Sequence, residues 1–375
     1  MHKELWFSAE EYSNRILKVQ QALEKRGLDA FLGFQAESVT WLTGYYTKGY
    51  GAFQFVIVPK RGDPTIVCRD QSSFYFKLRS PFEHCISWTD SDNQIEVALS
   101  AIAETIANDA KFAIELDSWH LTAAKFLALR NGLPKAGFYD AENMVAELRL
   151  IKSVAEITYQ RAAGKAAEIG MDTALQTATI GTSEREIAAE ICSQMISSGS
   201  DDPGPGIISS GIRAQHLHGE YSNRSLKAGD ILQVECTPSV RNYHARFMRT
   251  IKIGGANDQE RRNAELLIDI QNRALDAVGP DLPASNADRI YRDGILASGL
   301  TNSYTNKTFY SIGLILRPSG GEPLEAVPGC KWHFEPNMTF HTYLLVDGFG
   351  FSETIVVTET GYERLTNYSR CLLVT

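Results

Sequence analysis

Residues 9–27 (AEEYSNRILKVQQALEKRG) carry apolar positions at helical spacing, and Gly27 is placed to close the helix in a left-handed conformation. Shorter apolar runs follow at 28–34 (LDAFLGF), 52–59 (AFQFVIVP) and 63–69 (DPTIVCR). Gly, Pro and Asp bound these runs, so they read as strands. A helix over 93–108, a strand at KFAIEL and a helix over 118–131 continue the alternation. Residues 1–150 are therefore expected to form an α/β domain.

From about residue 151 the pattern changes. Residues 153–178 read as one long helix, with Ala and Gly where neighbours pack closely. Ser183 with Glu186 three residues on is a capping box that opens a second helix. NDQERRNAELLIDIQNRALDAV reads as another long amphipathic helix, and Ser285 and Asp288 open a fourth. ALQTATIGTSEREIAAEICSQMISSG can be laid on ALDAVGPDLPASNADRIYRDGILASG, which suggests an internal repeat. The strands that follow correspond too: GDILQVECT with NMTFHTYLL, and FMRTIKI with SETIVVT. Such a duplication predicts a curved antiparallel sheet over 151–375, with helices outside and a pocket inside.

Composition narrows the class. At 375 residues two domains are natural, and 43% hydrophobic with 22% charged residues is ordinary for a soluble protein. A net charge of −8 argues against nucleic acid and anionic membranes as partners. No apolar run reaches the roughly 18–20 residues of a membrane helix. The polar, acidic start MHKELWFSAEEYSNR is unlike a signal peptide, so a cytoplasmic location is expected. Six cysteines without a C-x-x-C pair read as reduced thiols.

Several strings carry a family resemblance. LRLIKSVAEI at 148–157, His218-Gly219 eleven residues before Gly229-Asp230, and ETIVVTETGY from Glu353 resemble the creatinase / Xaa-Pro dipeptidase family. LDAFLGFQAESVTWLTGY resembles that family's N-terminal domain. The resemblance spans nearly the whole chain. It implies an α+β protein: a creatinase-like domain over 1–150 and a pita-bread catalytic domain over 151–375. It also implies a homodimer in which one subunit's N-terminal domain closes its neighbour's pocket, with Phe53 and Gln54 as candidate lid residues.

The family's metallopeptidases hold two divalent ions with two Asp, one His and two Glu. Here those positions fall on Glu235, Arg246, Tyr310, Tyr343 and Ser352. The flanking Arg249-Thr250, Gly313-Leu314 and Glu353-Thr354 stay in register. A guanidinium cannot ligate a cation. No metal and no other cofactor is therefore expected. Two branches of the family work without metal: creatinase, on a guanidino compound, and ectoine hydrolase, on a cyclic amidine. VEC, Tyr243-His244, Tyr310-x-Ile-Gly-Leu, Phe340-His341 and Glu353 are similar to the latter; YTKGYGAFQ, Arg246 and Arg317 depart from it.

Attack on an amidine or guanidine carbon needs a base or nucleophile, a proton donor and groups that hold the substrate. Glu235 can attack the carbon directly or activate water. His218 titrates near neutrality and can protonate the leaving nitrogen, the role the resemblance implies. Tyr310 and Tyr343 can donate to a tetrahedral intermediate. Arg246 or Arg317 can clamp a substrate carboxylate. Glu353 can orient the histidine or bind a cation, and His244 and His341 are pocket candidates. The function expected is metal-independent hydrolysis of a C–N bond in a small zwitterion, a cyclic amidine before a guanidino compound. The alternatives are an Xaa-Pro metallodipeptidase and a non-catalytic binding protein.

Overall fold

The computed structural model describes residues 2–204 and 206–375. The chain divides into two compact units, Met1–Leu148 with Leu316–Pro318, and Arg149–Ile315 with Ser319–Thr375. The short segment 316–318 breaks the simple division at 150/151: its Leu316 backbone N–H donates to Glu37 Oε1 at 2.9 Å.

The first unit carries six strands: β1 (Ala30–Gly33), β2 (Phe55–Pro59), β3 (Thr65–Arg69), β4 (Cys85–Trp88), β5 (Lys111–Ile114) and β6 (Gly137–Asp140). They form one mixed sheet in the order β4-β3-β2-β1-β5-β6. Its helices are α1 (Ala9–Arg26), α2 (Ala36–Thr43), α3 (Asp70–Arg79), α4 (Gln94–Thr105), α5 (Ala123–Gly132) and α6 (Met144–Leu148). Gly27 ends α1 at φ 64°, as the chain pattern predicts. Helix α5 starts at 123, later than the expected 118, because Thr122 supplies the cap by accepting from Lys125 N. Of the cysteines, Cys68 and Cys85 bring their sulfurs to 3.8 Å across β3 and β4.

The second unit begins with α7 (Val154–Thr177) and α8 (Glu184–Ser197). Both helices open with a complete capping box, Ser153 with Glu156 and Ser183 with Glu186. Strands β7 (Ile207–Ser210), β8 (Ile231–Cys236), β9 (Ser239–Val240), β10 (Tyr243–His244) and β11 (Phe247–Lys252) follow. Helices α9 (Asp258–Leu275) and α10 (Ala284–Ala297) start the second half. Its strands are β12 (Phe309–Ser311), β13 (Glu325–Ala326), β14 (Thr339–Val346), β15 (Phe349–Thr358), β16 (Gly361–Arg364) and β17 (Leu373–Val374). Helix α10 differs from expectation at its start. Its N-cap is Pro283 and no side chain caps it. Asp288 is engaged by Arg292 and by Thr308 Oγ1 instead.

Sheet order is β17-β11-β8-β7 in one half and β13-β12-β14-β15-β16 in the other. The repeat is visible here: a helix pair precedes the antiparallel pair β8–β11 in one half and β14–β15 in the other. The halves meet along β11 and β15. Arg249 Nη1 donates to Ser352 O at 2.8 Å, and Gly350 N donates to Thr250 Oγ1 at 2.7 Å. One apolar core lies between α7, α8 and the β7–β11 strands, and another between α9, α10 and the β12–β15 strands.

Helix α7 lies so close to the C-terminal segment that Gly164 leaves no room for a methyl group. A Cβ there would sit 2.0 Å from the Leu365 carbonyl oxygen. Gly164→Ala is expected to destabilise the protein by about 1–3 kcal/mol through overpacking. Denaturant unfolding at constant m-value checks this, and an unchanged midpoint contradicts it.

Candidate active site

Strand alternation decides which side chains meet. On β8, Leu232, Val234 and Cys236 join the core beneath α7 and α8. Gln233 and Glu235 therefore point to the other face. In the second half, Tyr310 lies opposite His341 across β12–β14, and Tyr343 lies opposite Ser352 across β14–β15. Tyr310, His341 and Tyr343 thus share one face. That face and the loops over it enclose a cavity of about 510 Å³ lined by His218, Glu235, Arg246, Tyr310, His341 and Tyr343. His218 holds a left-handed backbone, φ 67°, which a non-glycine residue adopts only at a cost.

These groups form a directed network. Arg246 Nη1 donates to Tyr310 Oη at 2.8 Å, and Nη2 donates to the Gly320 carbonyl at 2.7 Å. The Arg246 backbone N–H donates to Thr354 Oγ1, which fixes the residue at the edge of β15. Tyr310 Oη lies 2.8 Å from His341 Nδ1. Burial, and then the neighbouring Arg246 charge, hold the His341 imidazole well below its ordinary pKa, so it is neutral at pH 7. Burial also raises Tyr310, so the phenol keeps its proton. With Arg246 donating to the phenol oxygen, that proton is assigned to the bond toward Nδ1. The imidazole hydrogen is then on Nε2, facing Glu235 Oε1 at 3.9 Å.

Burial raises the Glu235 carboxyl above its ordinary pKa, opposed by the positive charge of Arg246 and His218. Tyr343 stacks on His341 with ring centroids 5.3 Å apart, and burial pushes its hydroxyl up to about 12. The arrangement supplies a carboxylate, a neutral imidazole, a second histidine, phenol donors and one guanidinium around a space for a small molecule.

Five expected site residues lie elsewhere. Glu353 is fully buried on the opposite face of β15, because it is paired with Thr342, whose hydroxyl meets Tyr291 Oη on the helix side. Its carboxylate bonds Arg249 Nη2 at 2.6 Å and Thr366 Oγ1 at 2.7 Å, so it is a structural anchor. His244 Nε2 meets the Ile315 carbonyl at 3.1 Å. Burial and Arg246 hold that imidazole near pKa 4, away from the cavity lining. Arg317 clusters with the first unit and is not among the lining residues. Phe53 and Gln54 are buried inside the first unit, where Phe53 packs against Phe34 and Phe55. Side chains so enclosed have no surface to present to a neighbouring pocket.

Other lining residues escaped the sequence reading. Lys307 pairs with Glu325 at the rim and lies over the Tyr310 ring at 5.1 Å. Glu322, almost excluded from solvent, pairs with Lys152 and Arg149. The usable signal was the register Tyr310↔Glu325, which sets Glu325 on the Tyr310 face, and it is legible only once β13 is known.

The donor set does not fit a two-ion centre. Of the five positions that the family resemblance matches to metal ligands, one is a carboxylate, one a guanidinium, two are phenols and one a serine. Among the described residues no group of three or more His, Cys, Asp or Glu is arranged to hold a metal ion. Carboxylates and imidazoles are the ordinary ligands for such ions; a guanidinium within the site repels them. Among the described residues no helix is long and apolar enough to cross a membrane.

Comparison with known proteins agrees with the architecture. The model described as metallopeptidase family M24 matches residues 158–359, and that of the creatinase/prolidase N-terminal domain matches 15–151. An uncharacterized hydrolase/peptidase of Sinorhizobium fredii is 28% identical over 390 residues, covering 99% of each chain. An ectoine hydrolase of Halomonas elongata is 26% identical over 404 residues, covering 98% of each. The crystal structure of dipeptidase PepE from Mycobacterium ulcerans superimposes with a TM-score of 0.85 at 24% identity, over 98% of this chain and 99% of that one. This last likeness establishes the two-domain pita-bread fold.

Proposed function

This chain belongs to metallopeptidase family M24, a family of hydrolases, and we propose that it hydrolyses a C–N bond in a small zwitterionic amidine without a bound metal ion. The observation that carries this reading is the guanidinium of Arg246 inside the cavity, next to the buried carboxylate of Glu235. A substrate with a cationic amidinium and a carboxylate complements that pair of opposite charges. Glu235 faces the amidinium and drives attack on its carbon, and burial, by raising its pKa, makes it a stronger base than an exposed carboxylate. Arg246 receives the substrate carboxylate. Tyr343 donates to the oxygen that develops on the tetrahedral carbon, while Tyr310, its proton engaged by His341 Nδ1, holds that imidazole in place. His218, at the cavity wall, delivers a proton to the leaving nitrogen. Whole-length similarity to an ectoine hydrolase supports a cyclic amidine as substrate. The family resemblance supports a homodimer.

The test is a substrate panel in the presence and absence of a strong chelator: ectoine, creatine and an Xaa-Pro dipeptide. Turnover of the cyclic amidine is expected, at a rate the chelator leaves unchanged. Cleavage of the dipeptide alone, abolished by the chelator, overturns the reading.

A further inference from the structure

Two polar atoms facing the cavity have no protein partner: Glu235 Oε1 and His341 Nε2. Their residues are only 5% and 2% exposed. Buried polar atoms are nearly always paired, with protein or with ordered water. The two atoms lie 3.9 Å apart, too far for a direct hydrogen bond. One oxygen spans such a gap: two hydrogen bonds of about 2.8 Å meet over this separation at an angle of about 90°. The polarity also matches. The Arg246–Tyr310–His341 chain leaves a hydrogen on Nε2, a donor, and the Glu235 carboxylate is an acceptor. A water molecule accepts from the first and donates to the second.

We propose that this gap holds a single water molecule and that this water is the attacking nucleophile, with His341 orienting it and Glu235 acting as its general base. The inference rests on the C–N hydrolysis reading and decides between its two forms of carboxylate chemistry. The water transfers one proton to Glu235 Oε1 while its oxygen bonds to the amidinium carbon. The C=N electron pair moves onto nitrogen, giving a neutral tetrahedral carbon. The C–N bond to the leaving nitrogen then breaks. That nitrogen gains two protons: the one held by Glu235, relayed through His218, and the one the new hydroxyl releases as the carbonyl forms. The products are an amide and an ammonium group, so atoms and charge balance. Arg246 and Tyr310 act on this step through His341: they keep its imidazole neutral and set which nitrogen carries the hydrogen. His341 becomes a catalytic residue because it touches the reacting water.

A high-resolution crystal structure of the unliganded protein judges the site without reference to turnover. Electron density for one ordered water within hydrogen-bond distance of both Glu235 Oε1 and His341 Nε2 is expected, and its loss in His341→Phe with the cavity otherwise intact. An empty gap, or a direct Glu235–His341 hydrogen bond, overturns the proposal. The role of the water is judged by a single turnover of a cyclic amidine in ¹⁸O-water with enzyme in excess. The product is expected to carry the label. An unlabelled product, or a substrate-mass adduct on the Glu235 peptide, shows covalent attack and overturns the proposal while leaving C–N hydrolysis standing. Absence of turnover on every amidine and guanidino compound overturns the hydrolytic reading and the role of the water together.

Discussion

Glu235→Gln is expected to lower turnover by about a thousand-fold, the order that a positioned general base contributes, while leaving the fold intact. Glutamine keeps the shape and the hydrogen-bonding capacity of the carboxyl but cannot take a proton. The accompanying stability change separates catalysis from damage. Burial raises the Glu235 pKa in the folded state above its ordinary value of 4.5, so between those two values the folded protein binds more protons than the unfolded one. The Glu235 contribution to stability is therefore most favourable below the unfolded pKa and declines as pH rises toward the folded one. Glutamine has no such dependence. The variant is expected to match or exceed the parent in thermal stability at neutral pH, with the difference growing as pH rises from about 4.5. Steady-state kinetics with melting curves across pH measure both. Inactivity together with lower stability at neutral pH would mark Glu235 as a structural residue.

Glu353→Ala is expected to do the opposite, lowering stability severely by about 3–5 kcal/mol, the range for breaking a buried ion pair from one side. Arg249 and Glu353 are both completely buried, and Arg370 and Arg364 approach the same carboxylate at 3.6 and 3.8 Å. Removing that carboxylate leaves three guanidinium groups together, with Arg249 unable to reach water. Arg249 also donates to the Ser352 and Ser369 carbonyls, so the join between β11 and β15 is exposed to the same loss. For a chain of 375 residues the loss amounts to roughly 4–6 °C in Tm. Protein that remains folded at low temperature should retain kcat, because Glu353 lies on the face of β15 away from the cavity. A normal Tm with abolished kcat would restore it to the catalytic groups.

The contrast between these two glutamates shows what the chain pattern could and could not specify. Helix starts were legible because a capping box is local: Ser153 with Glu156 and Ser183 with Glu186 make the expected bonds. The face of a residue was legible where strand alternation ran through an apolar core, as at Glu235 between Val234 and Cys236. It was not legible on β15, where all but the last residue are buried, so burial marks no face and hydropathy does not tell Ser352 from Glu353. His244, Phe53 and Gln54 were misplaced for a related reason. The partner of His244, the Ile315 carbonyl, is distant in sequence, and Phe53 and Gln54 precede the strand that starts at Phe55, where alternation assigns no face. Lys307 and Glu325 were missed because their pairing exists only across β12 and β13.

On the proposed reading the cavity hydrolyses its substrate with side chains alone, Arg246 and Tyr310 among them, and with no bound ion. The most direct measurement is the divalent-metal content of purified protein, taken by mass spectrometry on the same sample whose amidine turnover is recorded. Full turnover with well under one equivalent of any divalent metal per chain is the predicted result. Two tightly bound ions per chain, with turnover that disappears when they are stripped and returns when they are restored, would make the protein a metal-dependent hydrolase instead.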